Sequence, residues 1–232
     1  YIPDNPLTMG DHGYENTQYG ATTGAGEIVC DGININSPED VVEHLEKFAF
    51  PSLIKSSEDF DESAYVQTII NDHNTVQKKL GTDILKFPYC FMMFPAFAYG
   101  IYGYVNYFCA YALYPEVIEK HFSLQADLAT KVNKACLKAV KDGNLPPLWR
   151  ADHDMADSRG TLASIESLDK LWFPHFARCM EPLTKSEITV IWHCDGNLME
   201  MVPRLLEVGI KGFQGFQYED GMDYAKICSM KT

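Results

Sequence analysis

The chain has 232 residues, of which 46% are hydrophobic and 22% charged, and this is enough apolar material for one globular domain with a sizeable core. Its formal net charge of −13 would repel phosphate backbones and anionic lipid headgroups, so neither nucleic acid nor a membrane surface is expected as a partner. The seven cysteines form no C-x-x-C pair and the first residues resemble no secretory signal, which predicts a cytoplasmic protein with reduced, mostly buried thiols.

Residues 1–36 are predicted to form a loop-rich N-terminal segment, because they are rich in Gly, Asn, Thr and Tyr and lack helical periodicity. A short strand is expected at residues 27–30. The main domain is predicted to cover residues 37–232. It begins with Ser37-Pro38-Glu39-Asp40, where an N-cap serine, a first-turn proline and two acids facing the helix dipole indicate the start of a helix.

Two long amphipathic helices are predicted from periodicity, one over about residues 62–80 and one over residues 115–143. Between them, residues 89–114 carry no charge and are long enough to cross a bilayer. Tyrosines spread through the middle of this segment fit a lipid-facing helix poorly, so a folded segment with a helix in its second half is expected instead. Tyr99 and Tyr102 are candidates for the wall of a binding pocket, although aromatic residues at this density are more typical of a core.

The rest of the chain alternates predicted strands with predicted helices. Strand ends are expected at four positions, which are Pro88, Ala151, His193 and Gln214. A polar loop is expected over residues 152–160, and a helix capped by Ser164 over residues 165–179. Such alternation is typical of a parallel sheet, in either a doubly wound fold or a (β/α)8 TIM barrel. No G-x-G-x-x-G follows a strand, which favours the barrel, and the small number of strands predicts that it is truncated at both ends.

The strand that ends at His193 is followed by the most chemically capable residues. His193 and Asp195 stand two residues apart, so their side chains can point to one side while Cys194 points into the packing. An imidazole and a carboxylate form half of a divalent-metal site, and a hydrogen-bonded pair without metal is the alternative. We therefore predict His193 and Asp195 as metal ligands.

The strand that ends at Ala151 is followed by Asp152-His153-Asp154. The carboxylates of Asp152 and Asp154 would both reach the substrate-binding edge of the sheet. Their mutual repulsion would raise the pKa of one of them, which could then act as a general acid or base. A solvated acidic loop is the alternative. The predicted catalytic residues are Asp152, Asp154 and His193.

Three further residues are predicted to bind substrate. Arg159 could clamp a carboxylate or phosphate, or neutralise the two aspartates. Asn197 and Gln217 could hydrogen-bond to the substrate, or each could cap its own backbone.

Arg150-Ala151-Asp152-His153-Asp154, the later Arg159-Gly160 and His193-Cys194-Asp195-Gly196-Asn197 together resemble the uroporphyrinogen decarboxylase-like superfamily, which includes corrinoid-linked methyltransferases. The resemblance covers about residues 83–223. It implies a TIM barrel with its site at the carboxyl face, and an enzyme that transfers a methyl group to or from a corrinoid or a small-molecule acceptor. In the methyltransferase branch, H-x-C-G supplies His and Cys ligands to zinc. Here Asp195 stands in the second ligand position, so zinc or another divalent metal would meet a different donor set.

Two alternative functions fit the same resemblance. One is uroporphyrinogen decarboxylase, which acts in tetrapyrrole biosynthesis, and the other is a non-catalytic barrel that binds a small molecule. The expected partners are a small-molecule substrate and a corrinoid protein, and a homodimer is compatible with the sequence.

Overall fold

The computed structural model describes residues 27–88, 91–215 and 217–230. The loop-rich segment predicted over residues 1–36 lies mostly outside this range. Within it, strand β1 (Val29–Cys30) pairs antiparallel with strand β2 (Ile33–Asn34), close to the strand expected at residues 27–30.

Most of the regular structure in the described residues is helical. The helices are α1 (Pro38–His44), α2 (Phe50–Glu58), α3 (Glu62–Leu80), α4 (Tyr99–Tyr102), α5 (Tyr104–Leu113), α6 (Pro115–Gly143), α7 (Ile165–Leu171), α8 (Phe173–Thr184), α9 (Val202–Val208) and α10 (Tyr224–Ser229). A π-helical turn, Leu45–Ala49, joins α1 to α2, and a 3-10 turn, Tyr218–Asp220, precedes α10. The remaining strands are β3 (Leu148–Asp152), β4 (Ala156–Asp157), β5 (Gly160–Thr161), β6 (Thr189–His193) and β7 (Gly212–Gln214).

Local sequence signals set the helix ends. Ser37 and Asp40 form a reciprocal capping box at α1, in which the Ser37 hydroxyl accepts from the Asp40 backbone N–H and the Asp40 carboxylate accepts from the Ser37 N–H at 2.9 Å. Asp61 caps α3 by accepting from the Ala64 N–H, and Gly81, with φ +73°, follows its last residue. The predicted start of α1 and the predicted limits of α3 and α6 are confirmed.

Three sequence predictions are wrong. Residues 83–88 form no strand, because the Gln77 side chain binds this segment to α3 through the Ile84 carbonyl and the Lys86 N–H. The loop expected over residues 152–160 contains the small hairpin β4–β5. The helix expected over residues 165–179 is divided at Trp172, because Pro174 in the first turn of α8 lacks the N–H that would continue α7.

The parallel sheet has three strands in the order β3–β6–β7. Helices α7 and α8 connect β3 to β6, and α9 connects β6 to β7, so the sheet consists of successive strand–helix–strand units. The fold is thus mixed α/β and mostly helical. The described residues contain no closed barrel; where the sequence predicts a (β/α)8 barrel, they show a parallel sheet of three strands.

The chain divides into two compact units. Among the described residues, one unit is formed by residues 27–53 and 96–121, and its core includes the buried aromatic rings of Phe97, Tyr102 and Tyr107. The other is formed by residues 54–95 and 122–232, and it contains the parallel sheet. In its core, Trp172 stacks on Phe176 at 4.4 Å between ring centroids, and both rings pack against Trp192.

The cysteines and the uncharged segment agree in part with the sequence predictions. All six described cysteines are free thiols; Cys136, Cys179 and Cys194 are buried, but Cys109 and Cys228 are exposed. Within the described residues, no helix has both the length and the apolar character needed to cross a bilayer.

Candidate functional site

The carboxyl ends of the three parallel strands carry a row of polar residues. In the strand register, Asp152 is the partner of His193, and His193 is the partner of Gln214. His193 Nε2 lies 3.9 Å from Asp152 Oδ1. The expectation that two successive strands bring an acidic and an imidazole side chain to the same edge is therefore confirmed.

A cluster of three possible metal ligands lies at this edge. Asp154 follows β3, His193 ends β6 and Asp195 follows it, and one donor atom from each lies within 4.8 Å of the others. The Asp195 N–H donates to Asp154 Oδ1 at 3.1 Å, which fixes the two loops to each other. The two aspartates are exposed and the His193 side chain is only 16% exposed, so the cluster is open to solvent on its carboxylate side.

The His193 ring is confined by a close approach of the backbone at Gly215. Gly215 has φ +85°, and a Cβ atom there would lie 2.3 Å from both Nδ1 and Cε1 of His193 and 3.2 Å from Asp195 Oδ1. Only glycine fits both this conformation and this space. His193 Nδ1 faces this glycine; it is buried and has no hydrogen-bond partner among the described residues.

Asp152 is held by an arginine that the sequence reasoning had not singled out for this role. Arg150, two residues earlier on β3, donates from Nη2 to Asp152 Oδ2. Of the two roles considered for Arg159, neutralisation of Asp152 and Asp154 is not observed, because Arg159 forms its ion pair with Asp157 across the β4–β5 turn. Its binding of a substrate carboxylate or phosphate stays a prediction. Hydrogen bonds from Arg159 hold the pKa of Asp157 below its usual range.

The two predicted amide residues both stabilise the turn that follows Asp195. Gln217 Oε1 accepts from the Gly196 N–H at 2.9 Å, and Asn197 Oδ1 accepts from the Met199 N–H at 3.2 Å. The Asn197 N–H donates in turn to the Asp157 carbonyl at 2.8 Å. Asn197 thus makes the backbone cap that the sequence analysis had left open, and Gln217 caps a neighbouring segment.

Cys194 points away from the cluster, as predicted. Its Sγ donates to the Asp195 carbonyl at 3.0 Å and accepts from the Met155 N–H at 3.3 Å. Burial raises the pKa of this thiol to about 12, so it is protonated at neutral pH. The Cys194 thiol is thus buried on the core side of the strand and is not one of the three donors of the cluster.

His153 lies between the two aspartates in sequence but belongs to the core side of the edge. Burial lowers its pKa to about 4, so the imidazole is neutral at neutral pH. Its ring packs against Phe94 at 6.4 Å between centroids, and Phe94 packs against Trp192. Phe94 therefore contacts both the residue that follows β3 and a residue near the end of β6.

Tyr99 and Tyr102, the predicted pocket residues, belong to the other compact unit. Tyr102 is buried, and its hydroxyl lies 2.8 Å from His44 Nδ1, while His44 Nε2 lies 2.9 Å from Asp31 Oδ2. Tyr99 stacks on Tyr104 at 4.5 Å. Sequence reasoning does not reveal the Asp31–His44–Tyr102 network.

No known protein family, no curated protein and no solved structure matches this chain.

The cluster fits a divalent cation bound by nitrogen and oxygen. One imidazole and two carboxylates are ligands for zinc, manganese, iron or magnesium, and one donor atom of each residue lies within 4.8 Å of the others. The His-and-Cys zinc set implied by the resemblance does not fit, because the Cys194 thiol is turned into the core.

Proposed function

We propose that this chain is a methyltransferase of the uroporphyrinogen decarboxylase-like superfamily that uses a divalent cation bound by Asp154, His193 and Asp195. The observation that carries this proposal is the convergence of these three donors within 4.8 Å at the carboxyl ends of neighbouring parallel strands. In parallel α/β folds this edge is where substrates bind. We also propose that the three strands are part of a larger (β/α)8 barrel.

The protein's own residues would position the reaction. Asp154 accepts from the Asp195 N–H and so holds the two carboxylates together, while Gly215 leaves room for the His193 ring. Arg150 fixes the Asp152 carboxylate, whose Oδ1 lies 3.9 Å from His193 Nε2. We propose that Asp152 accepts the proton of an acceptor thiol or water at this edge. A bound divalent cation would supply a Lewis acid that lowers the pKa of that acceptor.

The proposed chemistry is a methyl transfer between a corrinoid on a partner protein and a nucleophilic acceptor. In transfer from methylcob(III)alamin to a thiolate, the sulfur lone pair forms the S–C bond. The Co–C bond breaks with both electrons remaining on cobalt, which leaves cob(I)alamin. The acceptor proton passes to the protein or to solvent.

Two measurements test this proposal. Titration with Mn²⁺ or Zn²⁺ by calorimetry is expected to show one site, lost in His193→Ala and weakened at least tenfold in Asp195→Asn. Asp169→Asn is the matched control. Asp169 lies on α7, outside the cluster, and its carboxylate is paired with Arg204 of α9. The absorbance of methylcobalamin mixed with a thiol and the metal-loaded protein should then change to that of the demethylated corrinoid.

Each outcome assigns the protein to one class. A protein that binds no divalent metal and transfers no methyl group would contradict the proposal. Release of carbon dioxide from uroporphyrinogen by the same preparation would assign it to the decarboxylase alternative. Tight binding of a small molecule without turnover would indicate the non-catalytic alternative.

A further inference from the structure

Helix α5 is apolar on its outer side as well as on its buried side. Its buried residues are Tyr107, Ala110 and Tyr111. The outer side, which we call the α5 face, consists of exposed and half-buried residues at helical spacing, and these are Tyr104, Val105, Phe108, Cys109, Ala112 and Leu113. The amide of α5, Asn106, donates to the Ile35 carbonyl at 3.1 Å. A helix that is apolar on all sides is normally buried on all sides, so the α5 face is unusual for a surface.

The α5 face is accessible along its whole length. Val105 is 75% exposed and Leu113 is 62% exposed, and Cys109 is exposed between them. Near the start of the helix, the Tyr104 ring stacks on Phe108 at 6.1 Å between centroids, which joins two aromatic side chains of the face. Contiguous apolar surfaces of this kind mark interaction sites in soluble proteins.

The unit that carries the α5 face is more acidic than the other unit. Its 53 described residues include eight carboxylates and two lysines, a net charge of −6. The 148 described residues of the other unit include 21 carboxylates and 16 lysines and arginines, a net charge of −5. Negative charge is therefore concentrated in the smaller unit.

Carboxylates lie at both ends of the α5 face. At the carboxyl end of α5, the Tyr114 hydroxyl donates to Glu39 Oε1 at 2.6 Å, and Glu116 lies in the first turn of α6. At the other end, Asp31 follows Cys30, whose thiol donates to a carbonyl of α4. Helix α1, which packs against α5, carries three acidic residues and no lysine or arginine. An occupant of the α5 face would therefore be bordered by negative charge.

We propose that the α5 face binds an amphipathic helix of a partner protein, with lysine or arginine beside its apolar stripe. The apolar stripe covers the face, as in other complexes where a helix lies on an apolar surface, and the basic residues pair with the bordering carboxylates. A second copy of this chain would bring the same negative charge to the interface. Residues 1–26 contain three acidic residues and no lysine or arginine, so they also lack the complementary charge.

This interaction is independent of the proposed function. The α5 face belongs to one unit, and Asp154, His193 and Asp195 belong to the other.

A fluorescent peptide of leucine and lysine, about 14 residues long with its leucines at helical spacing, is the probe for anisotropy titrations of the full chain. It is expected to bind at least tenfold more tightly than a peptide in which glutamate replaces lysine. The same excess is expected over a peptide of identical composition in which leucine and lysine alternate, since that order forms no apolar helical stripe. Binding should weaken as salt is raised to about 0.5 M.

Two exposed cysteines show where the peptide binds. Cys109 lies on the α5 face and Cys228 lies in the other unit. Saturating peptide is expected to slow alkylation of Cys109 by N-ethylmaleimide at least fivefold and to leave Cys228 unchanged, as measured by mass spectrometry of tryptic fragments. Equal protection of both cysteines, or protection of neither, would overturn the proposal.

Val105→Gln removes apolar surface from the α5 face and is expected to weaken peptide binding at least fivefold. Leu85→Gln is the matched control, because Leu85 is a 72% exposed apolar residue of the other unit. Since both positions are exposed, both variants should keep the wild-type circular dichroism. Unchanged affinity in Val105→Gln would overturn the proposal.

The bordering charge is tested by the double variant Glu39→Gln and Glu116→Gln, which is expected to weaken binding of the lysine peptide about threefold. The double variant Glu200→Gln and Glu207→Gln, which removes two exposed carboxylates from the other unit, is the control and should bind as the wild type does. Equal affinities of the two double variants would overturn the pairing of basic residues with the border.

Two further results would assign the α5 face to a different occupant and overturn the proposal. One is a concentration-dependent dimer in sedimentation that Val105→Gln abolishes, in a protein that does not bind the peptide. The other is protection of Cys109 by phosphatidylcholine vesicles but not by the peptide.

Discussion

His44 and His193 both lie beside carboxylates, but their surroundings differ. His44 uses both ring nitrogens, one toward Tyr102 and the other toward Asp31, and its ring also stacks on Phe48. His193 leaves a buried Nδ1 with no partner among the described residues, and its nearest carboxylate contact is a long one of 3.9 Å. The same residue types are thus arranged once as a closed hydrogen-bond network and once as an open set of donors.

This difference separates a stabilising role from a binding role. A buried polar group that is fully hydrogen-bonded contributes to the folded state, and removing one partner leaves the others unsatisfied. A buried polar atom without a partner is costly in the folded state unless a ligand engages it. Changes at His44 should therefore affect stability, and changes around His193 should affect binding.

The largest effect is expected for Gly215→Ala. The new Cβ atom would lie 2.3 Å from the His193 ring, at a φ of +85° that disfavours any side chain. Strain and overpacking together should cost about 4 kcal/mol in the free energy of unfolding, and divalent-metal affinity should fall more than tenfold. Gly32→Ala is the control, since Gly32 has φ +82° but open space around its Cβ position. Equal effects of the two substitutions would show that the His193 contact is unimportant.

The next largest effect is expected in the pH dependence of the free energy of unfolding, and it arises from His121. This residue packs near Phe50 in the same unit as His44. Burial, followed by the nearby His44, lowers the pKa of His121 to about 4. The unfolded chain therefore binds a proton near pH 6.5 that the folded chain does not accept until about pH 4. Stability should fall by about 3 kcal/mol as the pH drops through this window.

Urea unfolding of the wild type and His121→Gln at pH 7 and pH 4 measures this contribution. The wild type should lose more stability than the variant over that interval, and contributions from other groups cancel in the difference. An identical loss in both proteins would contradict the low pKa of His121.

His44→Ala is expected to destabilise the protein by about 2 kcal/mol at pH 7. The substitution removes a buried ring and leaves the buried Tyr102 hydroxyl without this hydrogen bond. Metal affinity should stay within twofold of the wild type. A loss of Mn²⁺ or Zn²⁺ binding in His44→Ala, measured by calorimetric titration, would contradict the assignment of a stabilising role to His44 and a binding role to His193.

Tyr102→Phe should have the smallest effect, about 1 kcal/mol. Only the hydroxyl that bonds to His44 Nδ1 is removed, while the ring and its packing remain. Thermal unfolding of this variant, of His44→Ala and of the double variant gives the coupling energy of the pair. A coupling near zero would mean that the hydrogen bond does not stabilise the network.

Features that depend on neighbouring residues were predictable from the sequence. The Ser37 cap, the limits of α3 and α6 and the burial of Cys194 follow from local spacing and strand alternation. The meeting of Asp152 and His193 was also predictable, because the carboxyl ends of neighbouring parallel strands share an edge.

Features that depend on distant contacts were not predictable. His44 lies 13 residues from Asp31 and 58 from Tyr102, so no local pattern marks their network. Residues 83–88 have a strand-like composition but are held by the side chain of Gln77. The second glycine of Gly212-Phe213-Gln214-Gly215 was the available signal for a close backbone approach, but its neighbour, His193, became evident only from the fold.

The proposed function requires that His193 bind a divalent cation through a ring nitrogen. Pulsed electron paramagnetic resonance of the protein loaded with one Mn²⁺ measures this directly, because a nitrogen bound to the metal modulates the electron spin echo. We expect a histidine nitrogen modulation in the wild type and in His44→Ala, and its loss in His193→Gln. A spectrum without nitrogen modulation in the wild type, or one that His193→Gln leaves unchanged, would contradict the claim.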